Sequence, residues 1–418
     1  MLNYPYKSSP TFEYTMPMFI LFDNGISVTT DFYRSCLESK TLTLNVDYLN
    51  VCKNINSIPQ SFETPFKEIK IVSPYPYFKD EYKHMFDNDV QEYDKTFDEC
   101  VDIVVKQIEE DILRWWNPNR LHVMFHSAGN DSRMVSAMIN KIRETEGNDW
   151  LGEIKFVCAK PEQKEFVSIM KHLNYKPEQY VLLNKEHNSN VGYRHYDLET
   201  KDNLSEACAF ASFYTVETNL LNAAYLRENW KNIDYIGATL FNYLFSYPIP
   251  DVNPDYVYCK NNKLNGYLDK YYARTASKWV TTLYNRCNDY LLIGNGYKQL
   301  ENSIKTPNKY KGTIDNNKLT DKMRYAISEK ISKHIMKIPL FEYVNNIWRT
   351  TSEDEITYLD NLYFKSKFYS DLSEKFNFVK DAKPGLSDNT HMHNFSQAML
   401  PLAMLYDKLI ESNKKIDV

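Results

Sequence analysis

Residues 121–133, LHVMFHSAGNDSR, decide how the rest of the chain is read. A short apolar run, LHVMF, has the length of a buried strand. It gives way to Ser127-Ala128-Gly129-Asn130-Asp131-Ser132 and then, from Arg133 to about residue 144, to helical spacing. Strand, small polar turn and helix in that order make an anion site. Small residues let backbone N–H groups turn inward, and the helix N-terminus adds partial positive charge. Ser127 and Ser132 add hydroxyl donors, and Asp131 has the chemistry to hold the Mg²⁺ that accompanies a polyphosphate. The Gly-Lys-Ser/Thr ending of a Walker A loop is absent. The bland alternative is an ordinary Ser/Asn/Asp turn with a helix cap.

Working outward, the neighbouring segments alternate in period. Val101, Val104, Val105, Ile108, Ile112 and Trp115 recur at helical spacing, and Asn117-Pro118-Asn119 stops that helix at about residue 116. After the loop the pattern predicts a strand at 154–159, a helix at 162–173 and a strand at 179–183. A helix at 210–229 and a strand at 233–236 follow. This alternation is that of an α/β protein with a doubly wound parallel sheet. Residues 262–418 read as helix-rich without strong strand alternation. The first hundred residues read as short strands and turns: a hairpin of 18–22 with 26–30 around Asp23-Asn24-Gly25, and a strand at 66–72. The expected division is therefore a small β-rich domain at 1–95 and a larger domain at 96–418.

Bulk composition narrows the function classes. The chain has 418 residues, 43% of them hydrophobic and 25% charged, the balance of a globular protein with a real core. Its formal charge is −5 with no basic block, which argues against an electrostatic nucleic-acid binder. The 33 tyrosines can cover apolar surface while keeping a wet hydroxyl, so they do not of themselves imply base stacking. Seven cysteines, none in a CxxC pair, suggest neither a disulfide framework nor a zinc site. The N-terminus lacks a secretory pattern, and the apolar run at 16–22 is too short to span a bilayer. The expectation is a cytoplasmic protein without a membrane partner; homodimer formation stays open. His391 and His393 are read as a surface pair, and Trp115-Trp116 as packing.

The loop resembles the SGGxDS pyrophosphate loop of the N-type ATP-pyrophosphatases, and the trailing Arg133 fits that pattern. The flanks are similar to the synthetase domain of the asparagine synthetases. Phe156-Val157-Cys158-Ala159, Glu165-Phe166, Lys171-His172-Leu173-Asn174 and Tyr180-Val181-Leu182-Leu183 stand in that family's order after the loop. Thr64-Pro65-Phe66-Lys67-Glu68-Ile69 with Pro74 resembles its interdomain segment. The run from Glu353 to Asp360 is similar to its E-x-R-x-P-F-L-D, and Lys383-Pro384-Gly385-Leu386 to its K-x-G-F.

The resemblance implies an adenine nucleotide α-hydrolase-like fold and an ATP-dependent carbon–nitrogen ligase. A small carboxylate, aspartate-like by family default, is activated as its adenylate and passed to ammonia or an amine, with ATP as substrate and Mg²⁺ as cofactor. Ser127, Ala128, Gly129, Asn130, Asp131, Ser132, Arg133, Cys158 and Gly237 would then bind the nucleotide. Asp131 and Asn242 would hold the metal, and Lys383 and Glu353 would be catalytic. Lys383 would meet the α-phosphate or the acyl-adenylate, and Glu353 would act on the amine.

Three departures qualify the resemblance. Residue 2 is Leu where the family's glutaminase exposes a nucleophilic Cys, so the N-terminal segment is expected to be a non-catalytic remnant. The family's GDGGDELFGGY, which carries a second acidic metal ligand, is represented by residues 237–247, GATLFNYLFSY. Asn242 falls nearest the missing carboxylate, and Asp234 is the nearby acid available to replace it. Ala128 stands where the family has Gly. Two further readings follow: a nucleotide-binding or scaffold protein that kept the fold and lost the reaction, and adenylation of a nucleotide or RNA substrate.

Overall fold

The computed structural model describes residues 18–21, 27–29, 32–55, 63–72, 84–87, 90–160, 162–186, 230, 232–238, 244–245, 263, 289–293, 297–312, 314–315, 318–319, 322–340, 353–384 and 395–418. The first elements are β1 (Met18–Leu21), β2 (Ser27–Thr29), α1 (Phe32–Glu38), α2 (Val46–Ile55), β3 (Ile69–Val72) and the short α3 (His84–Asp87). β1 is the middle strand of an antiparallel sheet, pairing Ile20 with Val28 of β2 and Phe19 with Ile71 of β3. The expected hairpin and third strand are thus present. The two helices between them correct the reading of this region as strands and turns. α2 has a local cause: Asn45 accepts the Tyr48 N–H through Oδ1 at 3.3 Å, a helix cap, and Tyr48, Leu49 and Cys52 are buried at helical spacing.

Next come α4 (Phe97–Trp115), β4 (Leu121–Phe125), α5 (Asn130–Glu146), the short α6 (Asn148–Leu151), β5 (Glu153–Lys160), α7 (Gln163–His172) and β6 (Tyr180–Glu186). α4 begins with a capping box, in which Thr96 Oγ1 accepts the Glu99 N–H at 3.4 Å and Glu99 Oε2 accepts the Thr96 N–H at 2.8 Å. Its six periodic apolar residues are all buried. Trp115 and Trp116 belong to the packing, with Trp116 stacked on His122 at 3.9 Å and on Trp150 at 4.8 Å.

The strands β7 (Ile233–Ala238) and β8 (Asp289–Ile293) complete a five-stranded parallel sheet of order β6-β5-β4-β7-β8. β8 lies in the stretch read as helix-rich without strong strand alternation. Its run DYLLI is too short to separate strand from helix by periodicity, and pairing of Asp289–Ile293 with Asp234–Ala238 decides it. The helix expected at 210–229 lies outside the described residues.

The remaining elements are α8 (Tyr297–Lys305), β9 (Ile314–Asp315), β10 (Lys318–Leu319), α9 (Lys322–Ile331), α10 (Glu353–Phe364), α11 (Lys367–Leu372), α12 (Asn377–Lys380) and α13 (Phe395–Glu411). α9 packs over both α4 and α5. α13 packs on α10 and α11 and also on α1 and α2, so the last helices meet the N-terminal unit. Leu44 N–H donates to Asp417 O and Asp417 N–H to Leu42 O, each at 2.8 Å. Among the described residues no helix is long and apolar enough to cross a membrane.

Strand order singles out one place in the sheet. β4 is the first strand of the sheet yet lies at its centre. The chain winds outward through β5 and β6, then returns to β4's other side with β7 and β8. In open parallel sheets whose order reverses in this way, the ligand crevice lies outside the carboxyl ends of the strands that flank the reversal, β4 and β7 in this order. Residues 126–129 occupy that position.

Candidate functional site

The crevice is built from the loop upward. His126 N–H donates to Val157 O at 2.8 Å, carrying the β4–β5 pairing one residue past the strand. Its imidazole is buried; Nδ1 accepts the Ala128 N–H at 3.0 Å, and Nε2 lies 3.1 Å from Ser136 Oγ. An accepting Nδ1 places the ring proton on Nε2. Burial, with Arg133 nearby, lowers the imidazole's pKa to about 3, so the ring is neutral at ordinary pH. Sequence reading missed His126, although a histidine directly after a buried strand and before an anion loop was the available signal.

Ala128 has φ 51°, the left-handed region in which a Cβ is strained. That conformation lets the chain reverse into α5, and it explains why a glycine suits this position in loops of this type. Gly129 caps α5 without a side-chain hydrogen bond, so no cap side chain satisfies the first-turn N–H groups. Ser127 and Ser132 close the loop internally, their hydroxyl oxygens 3.2 Å apart. Ser127 Oγ also accepts the Gly129 N–H at 3.3 Å. Asn130 Oδ1 is buried without a hydrogen-bond partner among the described residues. An orphaned acceptor is costly, and a ligand donor or a cation would relieve that cost.

Arg133 serves the loop from behind. It is fully buried; Nε donates to Ala128 O at 3.0 Å, and the two Nη atoms to Ile338 O at 2.6 Å and Pro339 O at 2.9 Å. Arg133 was expected as a nucleotide contact; its guanidinium ties the loop to the segment after α9. Asp131 is met by Arg324 of α9, Nη1 to Oδ1 at 2.8 Å, with the two side chains 11% and 17% exposed. Arg324 was not legible in the sequence, because it lies 193 positions away with no motif around it.

A second acidic feature is coupled electrostatically to Arg133. Glu162, just before α7, is buried, and its pKa is pushed up to about 8 by burial and then by Glu165, against the pull of Arg133. Its carboxyl is therefore largely protonated at neutral pH, a group able to donate or exchange a proton. Cys158 is buried one position beyond the Phe125–Val157 pair. Burial, followed by the charges of Glu162 and Glu165, pushes its thiol far up, so it remains protonated. Gly237 is buried on β7 one position beyond the Met124–Ile236 pair, also at the crevice end of the sheet.

Other expected residues do not join this cluster. Asp234, the acid named as available to replace the missing metal ligand, stands elsewhere. It pairs with His122 in the strand register, toward the amino end of the sheet, and accepts from Arg120 at 3.0 Å. Asn242 and the His391/His393 pair lie outside the described residues. Glu353 opens α10, but its side chain lies outside the described residues. Lys383 is exposed in the turn after α12, a helix that packs on α2 and α11; Asp381 in the same turn pairs with Lys53 of α2 at 3.0 Å.

The donor set suits a polyphosphate better than a metal held by protein alone. Among the described residues no group of three or more His, Cys, Asp or Glu is placed to hold a metal ion. Asp131 by itself fits a Mg²⁺ that arrives with phosphate oxygens as its other ligands. Compared with known proteins, the chain matches no family model and no curated sequence.

Proposed function

We propose that the chain binds ATP in the crevice beside β4 and acts as an AMP-forming carbon–nitrogen ligase of the asparagine-synthetase kind, on an adenine nucleotide α-hydrolase-like fold. The observation that carries this reading is the loop at residues 126–129, poised between a central parallel strand and a long helix where the strand order reverses. The first-turn N–H groups of α5 and the Ser127 and Ser132 hydroxyls hold the pyrophosphate portion. Asp131 would hold Mg²⁺ together with the phosphates, and the chemistry the metal would supply is neutralisation of charge on the departing pyrophosphate. A carboxylate substrate attacks the α-phosphorus and the Pα–O bond to pyrophosphate breaks; ammonia or an amine then attacks the acyl carbon, the C–O bond to AMP breaks, and the nitrogen gives up a proton as the amide forms. Lys383 as the α-phosphate contact and Glu353 at the amine rest on the sequence resemblance. Glu162, buried and coupled to Arg133, is a further proton-transfer candidate.

The test is exchange of labelled pyrophosphate into ATP across a panel of carboxylates, aspartate first. AMP and pyrophosphate are the expected products, and ADP with phosphate would overturn the assignment. A second reading, a nucleotide binder without turnover, is favoured by the Arg324–Asp131 pair and by Asp234's place away from the crevice. ATP binding with no AMP from any acid would select it.

A further inference from the structure

We infer that Arg324 is a polyphosphate-binding residue of this crevice, resting on Asp131 until an anion draws it across. The inference builds on the loop being a phosphate site, as proposed above. Three observations lead to it. Arg324 Nη1 sits 2.8 Å from the carboxylate of Asp131, a first-turn residue of α5, so an anion on the first-turn N–H groups lies within reach of the same guanidinium. Arg324 is the third residue of α9, which is packed against both α4 and α5; the side chain is 11% exposed and is thus delivered to the loop by the fold. Finally, Arg133, the guanidinium inside the loop's own sequence, has its donors committed to the backbone carbonyls of Ala128, Ile338 and Pro339. The positive side chain facing the first turn is therefore supplied from α9.

The chemistry suits the role. A guanidinium presents five N–H donors in a planar fork that matches phosphate oxygens in pairs. Asp131 accepts one of these bonds and also places a negative charge where phosphate must come, so it is both a parking place and a competitor. Mg²⁺ and Arg324 then contend for one carboxylate. An arriving polyphosphate resolves the contest by taking the guanidinium and leaving Asp131 to the metal. The consequence is binding of the polyphosphate moiety without metal, through Arg324, with Asp131 opposing it.

Inorganic pyrophosphate titrated calorimetrically into the full chain, in EDTA and again in Mg²⁺, tests this. Wild type should bind in EDTA, and Arg324→Ala should weaken that binding about tenfold or more, with Arg324→Lys recovering only part. Asp131→Asn should tighten metal-free binding several-fold, because competitor and repulsion leave together, while losing the gain from Mg²⁺. A residue that serves only as counter-ion to Asp131 gives the opposite pattern: unchanged affinity in Arg324→Ala overturns the inference. So does weaker metal-free binding in Asp131→Asn, or binding by wild type only with Mg²⁺. Circular dichroism identifies a misfolded Arg324→Ala, in which case Arg324→Lys and Asp131→Asn decide. Turnover is not read here. A chain that binds pyrophosphate through Arg324 but makes no AMP sinks the ligase reading alone; AMP formation with unaltered binding in Arg324→Ala sinks this one alone.

Discussion

Ala128 carries more conformational strain than its size suggests. A methyl group at φ 51° costs on the order of 1 kcal/mol relative to the right-handed region, whereas glycine adopts this angle freely. Replacing it also enlarges the unfolded chain's freedom, which offsets part of the gain. Ala128→Gly is expected to leave stability equal or raise it by up to about 1 kcal/mol in denaturant unfolding, and to strengthen pyrophosphate binding by uncrowding the loop. A loss of more than about 1 kcal/mol would mean that the buried methyl group packs better than its backbone suffers.

Glu162 makes a different statement, about pH. Its folded-state pKa of about 8 lies above its ordinary 4.5, so the folded chain holds this proton more tightly than the unfolded one. Its stabilising contribution is fully present below about pH 4.5 and is lost as pH rises through 8. Asp111, raised to about 6 by burial, acts in the same direction. Glu162→Gln keeps the neutral shape, and should flatten the fall in unfolding free energy between pH 5 and 8 by on the order of a few kcal/mol. An unchanged slope would show that Glu162 ionises without cost.

At the scale of elements, legibility followed from how local each cause is. α4, β4, α5, β5 and α7 were readable because each repeats apolar residues at one period between clear stops. Their bounds shifted by a residue or a few, most at α5, which starts at Asn130 because Gly129 rather than Ser132 occupies the cap. α2 was misread although Asn45 was a visible cap; ten residues are too few for periodicity to outweigh the apparent run of turns. β8 was missed because it is shorter still. Five residues carry no decisive pattern, and only the open edge of β7 makes them a strand.

At the scale of the whole molecule, the first and last segments are one packed body. Besides the two backbone bonds at Asp417, Tyr33 Oη lies 3.1 Å from Ser412 Oγ, and α13 packs on α1 and α2. Leu409, fully buried on α13, tests the coupling. Leu409→Ala should cost about 2–5 kcal/mol, and hydrogen exchange should quicken in β1 and β3 together with α13. Exchange that quickens in α13 while β1 and β3 stay protected would show that the N-terminal sheet holds by itself.

The sequence alone determined the parallel α/β core, the strand–loop–helix at 121–146 and the small, hydroxyl-bearing character of the loop. All of these depend on residues within one or two turns of each other, where pattern and propensity act directly. Tertiary structure decided which charges face the loop. Arg133, part of the motif, is turned away to hold carbonyls after α9, while Arg324, outside any motif, is brought to Asp131 by packing of α9 on α4 and α5. Asp234 looked close to the altered motif in sequence but stands toward the amino end of its strand, because a strand separates neighbours by about 3.3 Å per residue along its length. Spacing along the chain does not encode such juxtapositions. They arise when distant helices bury their apolar faces together and carry their polar residues with them.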